Sequence, residues 1–155
     1  MRKEDQMAHR AAVVANKFLS LARQAGQTLT PMQLLKLVYL AHGWTLGLYR
    51  RPLISDPIEA WKYGPVIPTL YNEIRSYRSD PVSQPILGFH DTLSSDEDAV
   101  VQRVYDIYGG LSGPALSRLT HAPGTPWSQT YEPLSFGERI PNDVIQDYYV
   151  QRVKS

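Results

Sequence analysis

One apolar segment near the start of the chain limits the fold more than any other feature. Thr30 and Pro31 form a helix start, with a capping residue followed by a proline at the first helical position. The segment that follows runs to about Tyr49 and carries apolar side chains on nearly every side. Because a helix with so little polar surface is normally buried, we predict a central helix here, surrounded by the rest of the chain.

Five further segments carry helix signals. Apolar residues recur at helical spacing from Met7 to Leu21, and Ser94 followed by Glu97 forms a capping box. The five helices are predicted over roughly residues 7–24, 68–77, 94–108, 112–120 and 142–153. Residues 122–137 contain three prolines and two glycines, and we predict mostly loop there.

Residues 52–63 form the one part of the chain with a β pattern. Ser55-Asp56-Pro57 is a turn signal between two short apolar pieces, which predicts a small β-hairpin or two extended segments. A length of 155 residues suits one domain. We therefore predict a mainly α, single compact domain over residues 1–155, with about six helices and this small β element.

Several protein classes are excluded or not favoured by composition. The chain has no cysteine, which excludes disulfides and thiol chemistry. The charged amino terminus has no apolar core of a signal peptide. The longest apolar run, residues 34–49, is interrupted by Lys36 and His42 and is shorter than the ~20 residues that cross a bilayer. We expect a cytoplasmic protein with no membrane partner.

Charge is distributed unevenly along the chain. Residues 1–51 hold eight Lys or Arg and two Asp or Glu, although the net charge of the whole chain is only +1. A nucleic-acid-binding regulator that uses this basic N-terminal third is therefore an alternative. No dense basic cluster marks a phosphate track, so we favour solvated helix faces.

The sequence contains no recognisable catalytic or cofactor motif. It has no phosphate-binding glycine loop, no paired helical histidines for zinc and no G-x-S-x-G element. His42 lies on an apolar helix face, where it is either a hydrogen-bonded core histidine or a site residue. A hydrolase built on His42, Glu59 or His121 is the least favoured alternative. We predict no catalytic, cofactor-binding or metal-binding residue.

The stretch IEAWKYGPVIP, residues 58–68, is the strongest candidate for a binding site. Gly64 permits unusual backbone angles and Pro65 restricts them, so a rigid bend would present Trp61, Lys62 and Tyr63. A pre-ordered aromatic surface loses little entropy when it binds a partner. We take Trp61, Lys62, Tyr63 and Pro65 as partner-binding candidates, with core packing of Trp61 and Tyr63 as the alternative.

Two residues near position 120 are candidates for holding a loop. We expect Trp127 to pack back against the fold, as large aromatic side chains in proline-rich loops often do. We expect His121 to make a hydrogen bond that fixes the same loop.

Three blocks of the chain together resemble a known family. They are TPMQLLKLVYLAHGW (30–44), PLISDPIEAWKYGPVIP (52–68), and LSRLTH (116–121) with Pro126-Trp127. In order and spacing they resemble the SocA-like antitoxins, which carry the Panacea domain and are often prophage-associated. The similarity covers about residues 8–150. One departure is that Ala122-Pro123-Gly124-Thr125 follows the Thr-His pair, where the family commonly has an acidic residue.

The resemblance implies a non-enzymatic antitoxin. Such a protein neutralises a co-encoded toxin by direct binding, and in the founding type it is an adaptor that delivers the toxin to an AAA+ protease. The cognate toxin is then the expected partner, with no cofactor, and sequestration and protease delivery both stay open. A homodimer also stays open, because apolar helix faces at either terminus could bind a second copy.

Overall fold

The computed structural model describes residues 8–155, and Met7, the first residue of the predicted N-terminal stripe, lies outside them. Seven α-helices, one 3-10 helix (Arg75–Tyr77) and three short strands occur in the described part. In chain order they are α1 (Ala11–Gln24), α2 (Pro31–Tyr49), β1 (Glu59–Trp61), β2 (Gly64–Val66), α3 (Pro68–Ile74), α4 (Ser95–Tyr108), α5 (Gly113–Thr120), α6 (Pro126–Thr130), β3 (Glu138–Arg139) and α7 (Asn142–Lys154). The prediction of a mainly α domain with a small β element is confirmed.

Helix α2 is the central element, as the sequence predicts. It begins with a capping box, in which the Thr30 hydroxyl accepts from the Gln33 amide while the Gln33 side chain accepts from the Thr30 amide at 2.8 Å. Most of its apolar side chains are buried, although Met32, Leu48 and Tyr49 are partly exposed, and it contacts α1, α4, α5, α7 and β2. The rest of the core is therefore assembled around this helix.

Helix α7 packs unusually close to α2. A Cβ atom at Gly43 would lie 2.4 Å from Cε2 of Tyr149, and one at Gly47 would lie 2.8 Å from the Tyr149 backbone carbon. Both distances are shorter than real Cβ contacts. The two glycines therefore allow α7 to lie directly on α2.

The β-hairpin lies a few residues further along the chain than the turn signal suggests. Strand β1 pairs with β2 through a turn at Lys62 and Tyr63, and β3 pairs with the other edge of β1. Asp56, expected in the turn, is instead buried, and its carboxylate accepts a 2.7 Å hydrogen bond from the Ala11 amide at the start of α1. This residue acts as a distant cap for α1.

One helix was not expected. Helix α6 lies inside the stretch 122–137 that we predicted as mostly loop. Thr125 caps it by accepting from the Ser128 amide at 3.3 Å, and Pro126 is its first residue. The signal is the same threonine–proline pair that starts α2, but the neighbouring prolines and glycines favoured a loop.

A search of the helices within residues 8–155 finds none that combines the length and the apolar character needed to cross a membrane.

Candidate functional site

Side chains from three helices hold the hairpin through its backbone. Each of these side chains donates one hydrogen bond to a backbone carbonyl oxygen of the hairpin, and the three acceptors are two residues apart in the chain. The three bonds run from Trp127 Nε1 to Trp61 O (2.6 Å), from Ser117 Oγ to Tyr63 O (2.5 Å) and from Lys36 Nζ to Pro65 O (2.9 Å). The hairpin is therefore fixed on both sides of its turn without using the side chains at the turn.

The amine of Lys36 is the most deeply placed of the three donors. Lys36 is only 3% exposed, and burial lowers its pKa to about 8. No carboxylate within residues 8–155 lies within salt-bridge distance of it. Gly64, with φ of +120°, brings the hairpin backbone close, since a Cβ there would lie 3.0 Å from the Lys36 amine.

Aromatic side chains support the base of the hairpin. Trp61 is half-buried, its ring edge faces Tyr71 with centroids 5.3 Å apart, and its indole nitrogen donates to the Glu59 carboxylate at 2.9 Å. Trp127 stacks on Tyr131 with centroids 4.6 Å apart while it donates to the hairpin. Trp127 thus joins α6 to β1, which is the kind of packing contact that the sequence suggested for it.

His121 lies beside two of these donors. Its Nδ1 atom is 3.3 Å from the Ser117 hydroxyl oxygen, and its ring edge faces Trp127 with centroids 5.2 Å apart. It therefore contacts both side chains that donate to the carbonyls of Trp61 and Tyr63.

His42 occupies a different environment in the core. It is 1% exposed, its Nδ1 atom accepts from the Leu53 and Ile54 amides at 3.3 and 3.2 Å, and Nε2 is hydrogen-bonded to Asn142 at 2.9 Å. Burial lowers its pKa to about 4, so the ring is neutral near pH 7. His42 therefore links α2 to residues 53–54 and to α7.

The four partner-binding candidates occupy different environments. Lys62 and Tyr63 are exposed at the turn, with 62% of Tyr63 accessible and the Lys62 amine 5.5 Å from the centre of the Tyr63 ring. Trp61 is half-buried and Pro65 is buried. Only the two turn residues thus present whole side chains to a partner.

Sequence reasoning missed two exposed apolar residues in the loop that precedes β3. Leu134 and Phe136 are almost completely exposed, at 95% and 104%. Ala60 pairs with Glu138 at the start of β3, the strand that directly follows the loop of these two residues. A Cβ at Gly137 would lie 2.9 Å from Trp61 Nε1, which shows how close this loop is to β1. The available signal was that both apolar residues lie in a predicted loop, outside any helical or strand pattern that would bury them.

We define the tip surface as Lys62, Tyr63, Leu134 and Phe136. It combines one amine with three exposed apolar or aromatic side chains. Aromatic side chains are enriched at the centres of protein interfaces, so this chemistry suits a polypeptide partner.

The histidines and carboxylate considered for a hydrolase have separate partners. His42 is bonded to Asn142, Glu59 to Trp61, and His121 to Ser117. Among the residues described, no three His, Asp or Glu side chains are grouped so that they could hold a metal ion.

The basic N-terminal third is partly used inside the fold. Arg10 pairs with Asp56 at 3.2 Å, Lys17 pairs with Asp98 at 3.5 Å, and Lys36 is buried. These three cations therefore contribute less to an external phosphate-binding surface than the sequence count suggests.

Comparison with known proteins finds similar sequences. Residues 34–128 match the family described as antitoxin SocA-like, Panacea domain, and this range contains all three carbonyl-binding side chains. The curated antitoxin SocA of Caulobacter vibrioides (strain NA1000 / CB15N) is 32% identical over 160 residues, covering 94% of this chain and 85% of that protein. No solved structure gives a significant match.

Proposed function

The chain belongs to the SocA-like, Panacea-domain antitoxin family, and on this basis we propose that it neutralises a co-encoded toxin by binding it directly through the tip surface. The observation that supports this site most strongly is the hairpin itself. Three helices fix its carbonyl groups, while Lys62 and Tyr63 remain exposed at the turn.

Pre-organisation is the physical reason for choosing this surface. A turn that is already ordered avoids the entropy cost of ordering a loop on association. Tyr63, Leu134 and Phe136 can each lose a large accessible area against a partner, and the Lys62 amine can pair with a carboxylate. The expected toxin surface therefore has an apolar depression with an acidic group at its edge.

In this proposal the protein acts by binding alone, without a cofactor, and in the cytoplasm. Delivery of the bound toxin to an AAA+ protease would be a second step after this binding. Toxin half-life after a block of synthesis separates the two mechanisms. Protease delivery predicts a half-life that lengthens when the protease is removed, whereas sequestration predicts protection at a constant toxin level.

The binding test uses the protein encoded by the neighbouring gene. That protein is expressed alone, with this chain, or with the Tyr63→Ala/Phe136→Ala variant, and growth and the dissociation constant are measured. We expect the original chain to restore growth and the variant to bind at least about tenfold more weakly, because buried aromatic anchors dominate interface energies. The melting temperature should change little, since both side chains are exposed.

Leu87→Ala is the matched control. Leu87 is an apolar loop residue that is 86% exposed and does not belong to the tip surface. Binding should be unchanged in this variant. Unchanged binding in the Tyr63→Ala/Phe136→Ala variant, with the original chain binding normally, would remove the tip surface from the proposal, and failure to restore growth would contradict the toxin assignment.

A further inference from the structure

A groove lies between the C-terminal half of α2 and the helices α4 and α7. It consists of two adjoining cavities, an inner one of about 290 Å³ and an outer one of about 340 Å³, which share Trp44, Tyr108 and Arg152 as lining residues. No residue of the tip surface lines either cavity. We call this the α2–α7 groove, and it is a second surface that the proposed function does not use.

The outer part of the groove is apolar and accessible. Leu48, Ile107 and Val153 come from three different helices, and each is between 41% and 54% exposed. Apolar side chains that converge from separate elements in this way often mark a site where another molecule binds.

The inner part of the groove contains a hydroxyl group without a partner. Tyr39 is 1% exposed and lines the inner cavity, and its hydroxyl has no hydrogen-bond partner among the described residues. Buried polar groups are nearly always hydrogen-bonded, so this enclosed hydroxyl is an exception in the wall of the groove.

Two arginines border the groove. Arg103 lines the outer cavity and Arg152 lines both, and neither has a carboxylate within salt-bridge distance in residues 8–155. Arg152 is held in place by Tyr148, since its guanidinium carbon is 4.6 Å from the ring centre and its Nη2 atom donates to the hydroxyl at 2.5 Å. No aspartate or glutamate lines either cavity. The groove therefore complements an acidic ligand.

We propose that the α2–α7 groove binds an acidic amphipathic segment of a partner polypeptide. Apolar side chains of the segment pack against Leu48, Ile107 and Val153, and its carboxylates pair with Arg103 and Arg152. The charge of the border excludes a basic segment, because two uncompensated arginines would repel it. This inference goes beyond the proposed function, since it concerns a contact that is independent of the tip surface.

The probe for the test is a library of random dodecapeptides displayed on phage and selected on the full chain. We expect the enriched peptides to combine aromatic or aliphatic residues with an excess of Asp and Glu. Synthetic copies should bind about tenfold more weakly, or worse, to Arg103→Glu/Arg152→Glu, and added salt should weaken binding to the original chain.

Two control variants locate the binding. Arg23→Glu/Arg75→Glu makes the same change in net charge at exposed arginines that line neither cavity, and it should bind the peptides normally. The tip variant Tyr63→Ala/Phe136→Ala should also bind them normally. Since the tip variant tests the toxin contact separately, failure of one proposal is distinguishable from failure of the other.

Four outcomes would overturn the inference. They are the absence of enriched peptides, enrichment without an acidic excess, binding that survives the arginine reversal, and a dimer of this chain that occupies the groove. Light scattering over a range of concentrations detects the last, because a dimer formed through the groove would dissociate in Leu48→Glu/Ile107→Glu.

Discussion

The two halves of α2 support surfaces of opposite character. In the N-terminal half, Lys36 donates to Pro65 and helps to fix the hairpin beneath the tip surface. In the C-terminal half, Trp44 and Leu48 line the α2–α7 groove, which Tyr39 also lines from the middle of the helix. One helix thus supports two surfaces. The backbone of the first is hydrogen-bonded within the chain, whereas the apolar side chains of the second are accessible and its arginines have no carboxylate within salt-bridge distance in the described residues.

This difference separates two ways of preparing a protein for binding. In the proposed toxin contact, the tip surface is ordered in advance and would contribute to affinity through a reduced entropy cost. In the proposed peptide contact, the groove would contribute by burying apolar area and pairing charges on association. Four substitutions test whether the two regions are as independent as this description requires.

The largest effect is expected for Gly47→Ala, which separates α7 from α2. The added methyl group would meet the Tyr149 backbone, which cannot rotate away, so overpacking should lower the free energy of unfolding by about 3 kcal/mol. Chemical denaturation measures the change. Gly110→Ala is the matched control, since a Cβ there has no neighbour within 4 Å. Equal stability of both variants would contradict the close packing of α7 on α2.

The next effect is expected for His42→Leu, which affects the link between residues 53–54 and α7. Loss of the acceptor for two buried amides should lower the free energy of unfolding by about 2 kcal/mol near neutral pH. The original chain should also lose stability as pH falls from 6.5 towards 4, because the unfolded state then binds a proton that the folded state does not. His90→Leu, at an exposed position, is the control and should retain that pH dependence. If the stability of His42→Leu varied with pH as that of the original chain does, the assignment of this pH dependence to His42 would be contradicted.

Lys36→Met tests the support of the hairpin alone. The quantity measured is the pH dependence of the stability difference between this variant and the original chain. The Lys36 pKa is about 8 in the folded state and 10.5 when unfolded, so the unfolded state holds the extra proton between these values. The original chain should therefore gain about 2 kcal/mol relative to the variant from pH 7 to about pH 9.5. Denaturation curves at several pH values give this difference. A constant difference would show that the amine titrates as it does in water.

The smallest effect on stability is expected for Trp127→Phe. Removing the indole donor to the Trp61 carbonyl should cost about 1 kcal/mol. Hydrogen exchange at the Lys62 and Tyr63 amides should nevertheless become faster, because the turn loses one of its three supports. Trp44→Phe, in the groove, should leave this exchange unchanged. Faster exchange in both variants would show that the two regions are coupled.

Local signals predicted most of the helices but not the position of the hairpin. The capping boxes at Thr30 and Ser94 act within one helical turn, so the sequence shows both partners. Asp56 resembles a turn residue locally, yet it binds the amide of Ala11, and a contact over that separation has no local pattern. The position of the turn could therefore not be predicted from neighbouring residues.

The candidate site was predicted in part for the same reason. The IEAWKYGPVIP stretch indicated Lys62 and Tyr63 directly, since proline, glycine and aromatic residues occur together there. The approach of the Phe136 loop to the hairpin depends on pairing between β1 and β3, which are far apart in the chain. The support from Lys36, likewise, appears only when α2 packs beneath the hairpin.

The bonds that hold the hairpin end on peptide oxygens, which every amino acid possesses. Substitutions at Lys62 and Tyr63 can therefore change shape, charge and size at the turn while the supporting scaffold remains in place. Under the proposed function, a lineage that meets a new toxin could alter recognition by replacing a few side chains, without first finding another stable fold.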